Sequence, residues 1–252
     1  MRACAGPDGP RPRSSISWGR WSCPAPPRPR STRFITDEIE RRGVTSATIG
    51  YKGYQHASCI SVNHVVCHGI PGTKVLKDGD ILNIDVTVIV DGWFGDTSRM
   101  YVAGTLGRKA ERLLEVTHDA LMKGIEVVKP GATFGDIGAA IQTYVENNRM
   151  SVVRDFCGHG LGRVFHAPPN VLHYGRPRHR ARAGRGHDLH HRADGEPRPP
   201  RDEGARRRLD RRHPRQVAVG AVRTFGRRDR DGCEIFTLSP AGLFYPTWPT
   251  AD

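Results

Sequence analysis

Alternating hydrophobic and polar positions predict a β-hairpin in the first half of the chain. The run ILNIDVTVIV, residues 81–90, alternates and is rich in β-branched residues, which is typical of a strand. Asp91-Gly92 follows as a two-residue turn, and WFGDTSRMYVAG returns as the second strand. A two-residue turn fixes which residues of the two strands lie opposite each other.

Hydrophobic residues at helical spacing predict two helices after the hairpin. Thr133, followed three places later by Asp136, predicts the cap of the second helix. We interpret both apolar stripes as core faces rather than cofactor contacts: Leu113, Leu114, Leu121, Ile125 and Val128 in the first helix, and Phe134, Ile137, Ile141, Tyr144 and Val145 in the second. A short helix, Asp37 to Arg42, precedes a glycine-punctuated strand region. Strands and helices in this mixed order indicate an α+β fold.

Length and composition narrow the class of protein. The chain has 252 residues, of which 37% are hydrophobic and 26% charged, typical of a globular protein of one large or two small domains. No run approaches the roughly 20 apolar residues of a membrane span, which excludes an integral membrane protein. Six cysteines without CxxC spacing, and a start that lacks a leader pattern, predict a reducing, cytoplasmic compartment.

The formal net charge of +13 comes from two arginine-rich segments. Residues 1–33 and 178–231 contain no lysine, and they are rich in proline and lack any hydrophobic period. We therefore predict that both segments are disordered. The region between them, 34–177, has the pattern of a folded enzyme, and 232–252 returns to a folded pattern.

Two aspartates on the predicted hairpin are candidate metal ligands. Asp85 interrupts an apolar strand, where a lone carboxylate is costly. With a two-residue turn, Asp96 lies opposite Thr87, so Asp85 and Asp96 become diagonal neighbours on one face, roughly 7 Å apart or less. Divalent cations are the usual solution for two such anions. Alternatively, Asp96 caps its turn through Thr97 while Asp85 pairs with Arg99.

Three histidines are candidates for metal binding or acid–base chemistry. His68 precedes Gly69, His159 lies between glycines in CGHGLG, and His166 follows Phe165. Imidazole is the commonest metal ligand and titrates near neutral pH. Each of them taken singly also fits a structural or surface histidine.

Three motifs resemble bacterial type I methionine aminopeptidases, in order and at the expected separations. They are HASCISVNHVVCHGIPG, LKDGDILNIDVTVIVDGWFGDTSRMYVAG and RDFCGHGLGRVFHAPPNVLHYG, and the resemblance covers about 34–177 and 232–244. It implies the pita-bread fold of creatinases and aminopeptidases, and removal of the initiator methionine. Two divalent ions, Co, Mn, Fe or Zn, are implied. The resemblance implies nascent N-termini as partners and leaves a contact with the ribosome open. It implies no membrane partner, no specific nucleic acid and a monomeric protein.

The resemblance assigns roles to individual residues. Asp85 is implied as a ligand of one metal, Asp96 as the bridging carboxylate and His159 as a ligand of the second metal. His68 and His166 correspond to catalytic histidines that contact the substrate amide. The implied walls of the methionine pocket are Tyr51, Tyr54, Cys59 and Phe165.

The chain departs from the family pattern in two segments. The family has two glutamate ligands, in strands reading like TIEP and QFEH, and neither motif occurs here. Segment 178–231 offers only Glu196 and Glu203, without an apolar strand to place them. The pattern of a first strand and helix is also missing from 1–33. We therefore expect an incomplete N-terminal half, a disrupted late sheet and impaired activity, and we hypothesise that both segments are read out of frame.

Two other functions remain open at this stage. A non-catalytic pita-bread remnant could hold ribosomal RNA through its arginines, although 178–231 has Phe225 alone for stacking on bases. A dipeptidase or creatinase-type enzyme would share the fold. The combination of CHGIP, GDTSR and FHAPP favours the methionine enzyme.

Overall fold

The computed structural model describes residues 28–179 and the short segments 189–190, 216–217, 223–225 and 233–237. The chain divides into two compact units. Described residues of the first unit come from 28–111, 161–167 and 235–237, and those of the second from 112–160, 168–179 and the short segments up to residue 234. No helix in this described part is both long and apolar enough to cross a bilayer.

A four-stranded antiparallel sheet organises the first unit. Its elements are α1 (Arg28–Arg41), β1 (Thr45–Ser46), a 3-10 turn (Tyr51–Gly53), β2 (Cys59–Val62), β3 (Ile81–Val90) and β4 (Trp93–Val102). Strand β3 is central, because β1, β2 and β4 all pair with it. Asp91 and Gly92 have φ values of +49° and +77°, as a tight hairpin turn requires, and Val90 pairs with Trp93. The predicted hairpin and its register are confirmed.

The core of the first unit lies on one face of β3. Alternate β3 residues are buried there against Ile35 and Ile39 of α1 and Ile60 of β2, and they are Leu82, Ile84, Val86 and Val88. Because side chains alternate along a strand, Asn83, Asp85 and Thr87 face the other side. The polar face of the strand is therefore separated from the core.

Helix α1 begins nine residues earlier than predicted. It covers residues 28–41, whereas the sequence pattern predicted a short helix over 37–42 and disorder up to residue 33. Pro29 is tolerated because the first turn of a helix leaves its N–H groups without a helical partner. The rest of that predicted disordered segment, residues 1–27, lies outside the described residues.

The later elements include two helices packed on each other. They are α2 (Arg108–Glu126), α3 (Phe134–Asn147), β5 (Ser151–Val152), β6 (Gly158–Gly160), β7 (Ala167–Val171), β8 (Leu189–His190), β9 (Gln216–Val217), β10 (Arg223–Phe225) and β11 (Glu234–Ile235). Thr133 and Asp136 form the predicted capping box of α3. The apolar stripes are core faces as predicted, with Ile137 and Ile141 of α3 buried with Ala120 of α2.

Short strands occur where the sequence predicted no structure. Strand β5 pairs with β9 in parallel, and a five-stranded sheet has the order β11-β10-β8-β6-β7. Strands β8, β9 and β10 lie within 178–231, the segment for which the sequence predicted disorder. Backbone pairing does not require an apolar side-chain pattern, so composition alone could not reveal these strands. The other residues of 180–231, and most of 232–252, lie outside the described residues.

Candidate active site

The hairpin register places two aspartates on the polar face of the first sheet. Asp96 of β4 pairs with Thr87 of β3, and Asp85 pairs with Ser98. Asp85 and Thr87 are two residues apart, so Asp85 and Asp96 are diagonal neighbours on one face. Their exposed fractions are only 3% and 0%. The predicted carboxylate pair therefore exists, and it is buried.

Thr87 orients one member of this pair. Its hydroxyl donates a hydrogen bond of 2.9 Å to Oδ1 of Asp96. We did not predict this contact, although the register alone places the two residues opposite each other. Arg99 pairs with Ile84, so alternation places it on the other face of β4 from Ser98. The register therefore does not favour the alternative in which Arg99 balances Asp85.

The chemistry of this pair fits a divalent cation. Both side chains offer carboxylate oxygens, which hard and borderline divalent ions prefer. Two neighbouring carboxylates on one buried face concentrate acceptor oxygens, which a divalent cation would use as ligands. No group of three His, Cys, Asp or Glu side chains with metal-binding geometry occurs among the described residues. Asp85 and Asp96 are thus the part of the predicted ligand set that the structure brings together.

His159 lies in the second unit, within strand β6. It is 3% exposed, and its Nδ1 lies 2.9 Å from the carbonyl oxygen of Gly160. A carbonyl only accepts hydrogen bonds, so Nδ1 carries the proton and Nε2 carries the lone pair of the neutral ring. Metal-ligating histidines are commonly held in this way. The contact therefore leaves the ring lone pair on Nε2, the atom through which this imidazole would bind a metal ion.

His68 lies on a loop that is fixed against strand β2. The N–H of Ile60 donates to the Gly69 carbonyl at 2.8 Å, and the N–H of Gly69 donates to Oγ of Ser61 at 3.1 Å. A Cβ at Gly69 would lie 2.3 Å from the carbonyl oxygen of Ile60, so only glycine allows this approach. The Tyr54 hydroxyl also donates to the Gly69 carbonyl, at 3.2 Å. Tyr54 and His68, two predicted site residues, therefore belong to one local structure.

The predicted pocket residues Tyr51 and Phe165 pack together beside His166. The ring centroids of Tyr51 and Phe165 are 4.8 Å apart, and those of Phe165 and His166 are 3.9 Å apart. Oη of Tyr51 lies 2.9 Å from Nδ1 of His166. The fourth predicted pocket residue, Cys59, pairs with Asp85 across β2 and β3. Tyr51, Phe165 and His166 therefore form one cluster in the first unit, and Cys59 lies beside Asp85 in the sheet of that unit.

Residues that we did not predict hold the loop 161–167 against the hairpin. The N–H of Phe94 donates to the Gly162 carbonyl at 2.8 Å, and the Phe94 ring stacks on Phe165 with centroids 5.3 Å apart. The guanidinium carbon of Arg163 lies 4.7 Å from the ring centroid of Trp93. The sequence signal was the GWFGD turn, where two aromatic residues follow the glycine, but nothing in it shows which loop they contact.

Comparison with known proteins identifies the family. The model of metallopeptidase family M24 matches residues 27–190. A methionine aminopeptidase from Rickettsia prowazekii is 47% identical over 240 residues, which cover 88% of this chain and 88% of that protein. The methionine aminopeptidase of Escherichia coli K12 is 53% identical over 137 residues, which cover 54% of this chain and 52% of that protein.

Structural comparison gives the same answer. The crystal structure of methionine aminopeptidase from Rickettsia prowazekii has a TM-score of 0.74 and 42% identity, covering 86% of this chain and 88% of that one. The pita-bread α+β fold and the peptidase hypothesis are thereby confirmed, and the alternative of an RNA-binding remnant receives no support. The chain belongs to metallopeptidase family M24 and, within it, to the methionine aminopeptidases.

Proposed function

We propose that this chain carries the metal-binding and substrate-binding parts of a site that removes N-terminal methionine from nascent polypeptides. The observation that carries the proposal is the buried pair Asp85 and Asp96 on one face of the hairpin. Asp85 and Asp96 would hold metal ions through their carboxylates, Asp96 in the role of the family's bridging ligand, and His159 would supply an imidazole ligand. The Nδ1 contact of His159 with Gly160 supports that last role.

The remaining residues bind the substrate in this proposal. His68 and His166 donate hydrogen bonds to the amide of the bond to be cleaved and stabilise the developing tetrahedral centre. Tyr51, Tyr54, Cys59 and Phe165 line the pocket for the methionine side chain, whose thioether suits polarisable and aromatic neighbours. Two divalent ions, Co, Mn, Fe or Zn, would supply Lewis acidity and activation of water near neutral pH.

We further propose that this chain is much less active than its relatives. The family pattern includes two glutamate ligands, one of which is also the general base, and neither motif occurs in the sequence. Loss of a general base alone lowers rates by about 10²- to 10⁴-fold. We attribute both departures to out-of-frame reading within 1–33 and 178–231, which lie mostly outside the residues 27–190 that the family model matches. Resequencing of the coding DNA tests this cause: the idea fails if the reading is confirmed and no other frame encodes TIEP-like and QFEH-like strands.

Metal binding is tested on the carboxylates themselves. We expect Asp85→Asn and Asp96→Asn each to abolish the tightest Mn(II) site of the full chain in calorimetric titration. The matched control is Asp91→Asn, because Asp91 is an exposed hairpin residue whose positive φ asparagine also adopts. Equal loss of binding in the control, or unchanged binding in both site variants, contradicts the proposed ligands.

Activity is tested separately with a Met-Ala-Ser peptide and Mn(II) or Co(II). We expect methionine release about 10²- to 10⁴-fold slower than from the Escherichia coli enzyme assayed in parallel. A rate close to that of the reference enzyme refutes impairment. No release at any enzyme concentration, from a chain that binds metal, would limit the proposal to metal binding.

The cellular setting follows from the same proposal. Nascent chains that begin with methionine are the substrates. The protein acts on them in the cytoplasm, as a monomer.

A further inference from the structure

Tyr51 makes a polar contact with the ring of His166 in the first unit. The phenol Oη lies 2.9 Å from Nδ1, and the ring centroids are 5.3 Å apart. Both side chains are half-buried. The two residues are 115 positions apart in the sequence, so the contact is a product of the fold and not of local chain geometry.

The chemistry of the two groups determines the direction of this hydrogen bond. A phenol is a good donor, and the unprotonated imidazole nitrogen is a better acceptor than a phenol oxygen. The favoured arrangement therefore has the Tyr51 hydroxyl donating to Nδ1. A neutral imidazole carries one proton, so that proton is then on Nε2.

The backbone conformation of His166 is unusual and depends on the contacts around its side chain. His166 has φ of +58°, in the left-handed region that residues other than glycine seldom adopt. Such a conformation persists only where surrounding contacts hold it, and it is common at functional sites. Phe165 stacks on the imidazole, while Tyr51 contacts both rings. The side chain is thus held by aromatic packing and oriented by its contact with the Tyr51 hydroxyl.

We propose that Tyr51 is a positioning residue that holds His166 in its Nε2–H tautomer. The imidazole then presents Nε2 as a hydrogen-bond donor, which is the form that stabilises negative charge on a substrate oxygen. The substrate end of this inference rests on the proposed function, whereas the tautomer does not. Tyr51 therefore has a polar role in addition to lining the pocket.

The tautomer is measured directly by NMR of the full chain labelled with ¹⁵N-histidine. Correlations between ring carbon-bound protons and ring nitrogens distinguish the two tautomers at neutral pH, and loss of a signal set in His166→Gln assigns His166. We expect the Nε2–H form in the wild-type protein. The test variant is Tyr51→Phe, which keeps the ring and removes the hydroxyl, and we expect it to populate both tautomers of His166.

Tyr54→Phe is the matched control. Its hydroxyl donates to the carbonyl oxygens of Ser58 and Gly69, at 3.0 and 3.2 Å. We expect the Nε2–H form of His166 to persist in this variant. The inference is overturned by an Nδ1–H tautomer in the wild-type protein, which needs no variant to be seen. It is also overturned if Tyr51→Phe leaves the tautomer unchanged or if Tyr54→Phe changes it equally.

These measurements separate the inference from the proposed function. No metal ion or peptide is added, so the tautomer can be as expected in a chain that releases no methionine. In that case Tyr51 still positions His166, and the assignment of the histidine to the substrate fails. An Nδ1–H tautomer in a chain that releases methionine overturns the role of Tyr51 and leaves the proposed function unaffected.

Discussion

Among the described residues, the first unit buries two neighbouring aspartates and the second unit buries two histidines, and these side chains are buried in different ways. In the first unit, Asp85 and Asp96 lie on adjacent strands joined by a two-residue turn. In the second unit, His159 and His173 are equally buried, but His159 lies in a three-residue strand and His173 follows β7. Local sequence thus determines the first pair, whereas contacts between distant segments bury the second.

The comparison teaches which buried polar residues a sequence can reveal. A carboxylate in an alternating strand is conspicuous, because the pattern shows which face it occupies. A histidine in a short strand or loop has no such pattern around it. Here the sequence identified Asp85, Asp96 and His159 as ligand candidates, and it did not single out His173. The predictions below concern the contacts that make the second unit differ from the first.

The largest expected effect concerns His173 and pH. Burial lowers the pKa of His173 from 6.5 to about 4. Between pH 6.5 and pH 4 the His173 imidazole is protonated in the unfolded chain and neutral in the folded chain. Its contribution to the free energy of unfolding is therefore complete above pH 6.5 and falls towards pH 4. The cost is about 3 kcal/mol at pH 4. Urea denaturation at pH 7 and pH 4 measures the difference, and His173→Leu is expected to remove this part of it.

The control for this prediction is another histidine. His64 is exposed, so His64→Gln is expected to keep the wild-type loss of stability at low pH. An identical loss in His173→Leu would show that other groups of the chain cause the acid sensitivity. The carboxylate pair of the first unit is common to all these variants, so its contribution cancels.

The fold was predictable where residues close together in the sequence determine the local structure. The turn Asp91-Gly92 and the alternation of β3 predicted the hairpin register, and Thr133 predicted the cap of α3. The start of α1 was not predictable, because Ile35 and Ile39 are too few to define a helix before the sheet that covers them is known. The same reason applies to the contact of Phe94 with Phe165: the two residues come together only after the hairpin has formed.

The second prediction tests how tightly the segment after β7 lies on α3. A Cβ at Gly138 would lie 2.5 Å from the Tyr174 carbonyl oxygen and 2.8 Å from that of Leu172. Backbone atoms cannot move aside at small cost, so we expect Gly138→Ala to destabilise the protein by about 1–3 kcal/mol. Thermal and urea unfolding measure this change, which also displaces the segment that carries His173.

Gly124→Ala is the matched substitution in helix α2. Its Cβ would meet Cδ1 and Cγ1 of Ile141 at 2.8 and 2.9 Å, which are side-chain atoms and shift at smaller cost than backbone atoms. Alanine also has a helix propensity about 1 kcal/mol better than glycine, which offsets part of the strain. We expect a smaller loss of stability than for Gly138→Ala. A reversed order would mean that the segment following β7 adjusts more easily than the core between the helices.

The smallest expected effect is the difference in coupling energy between two cation–π contacts, one in each unit. The guanidinium carbon lies 4.7 Å from the ring centroid both for Arg163 over Trp93 in the first unit and for Arg154 over Tyr174 in the second. Exposed contacts of this kind contribute about 0.5–1 kcal/mol, and the indole face is the stronger partner. Double-mutant cycles with Arg→Met and aromatic→Leu substitutions measure the coupling, and we expect the larger value for Trp93. Equal or reversed couplings would mean that geometry outweighs ring type. A coupling of zero for Arg163 would mean that the loop carrying His166 is held by the Phe94 contacts and not by the Arg163–Trp93 contact. The coupling energy therefore shows whether Trp93, at the hairpin tip, helps to hold that histidine.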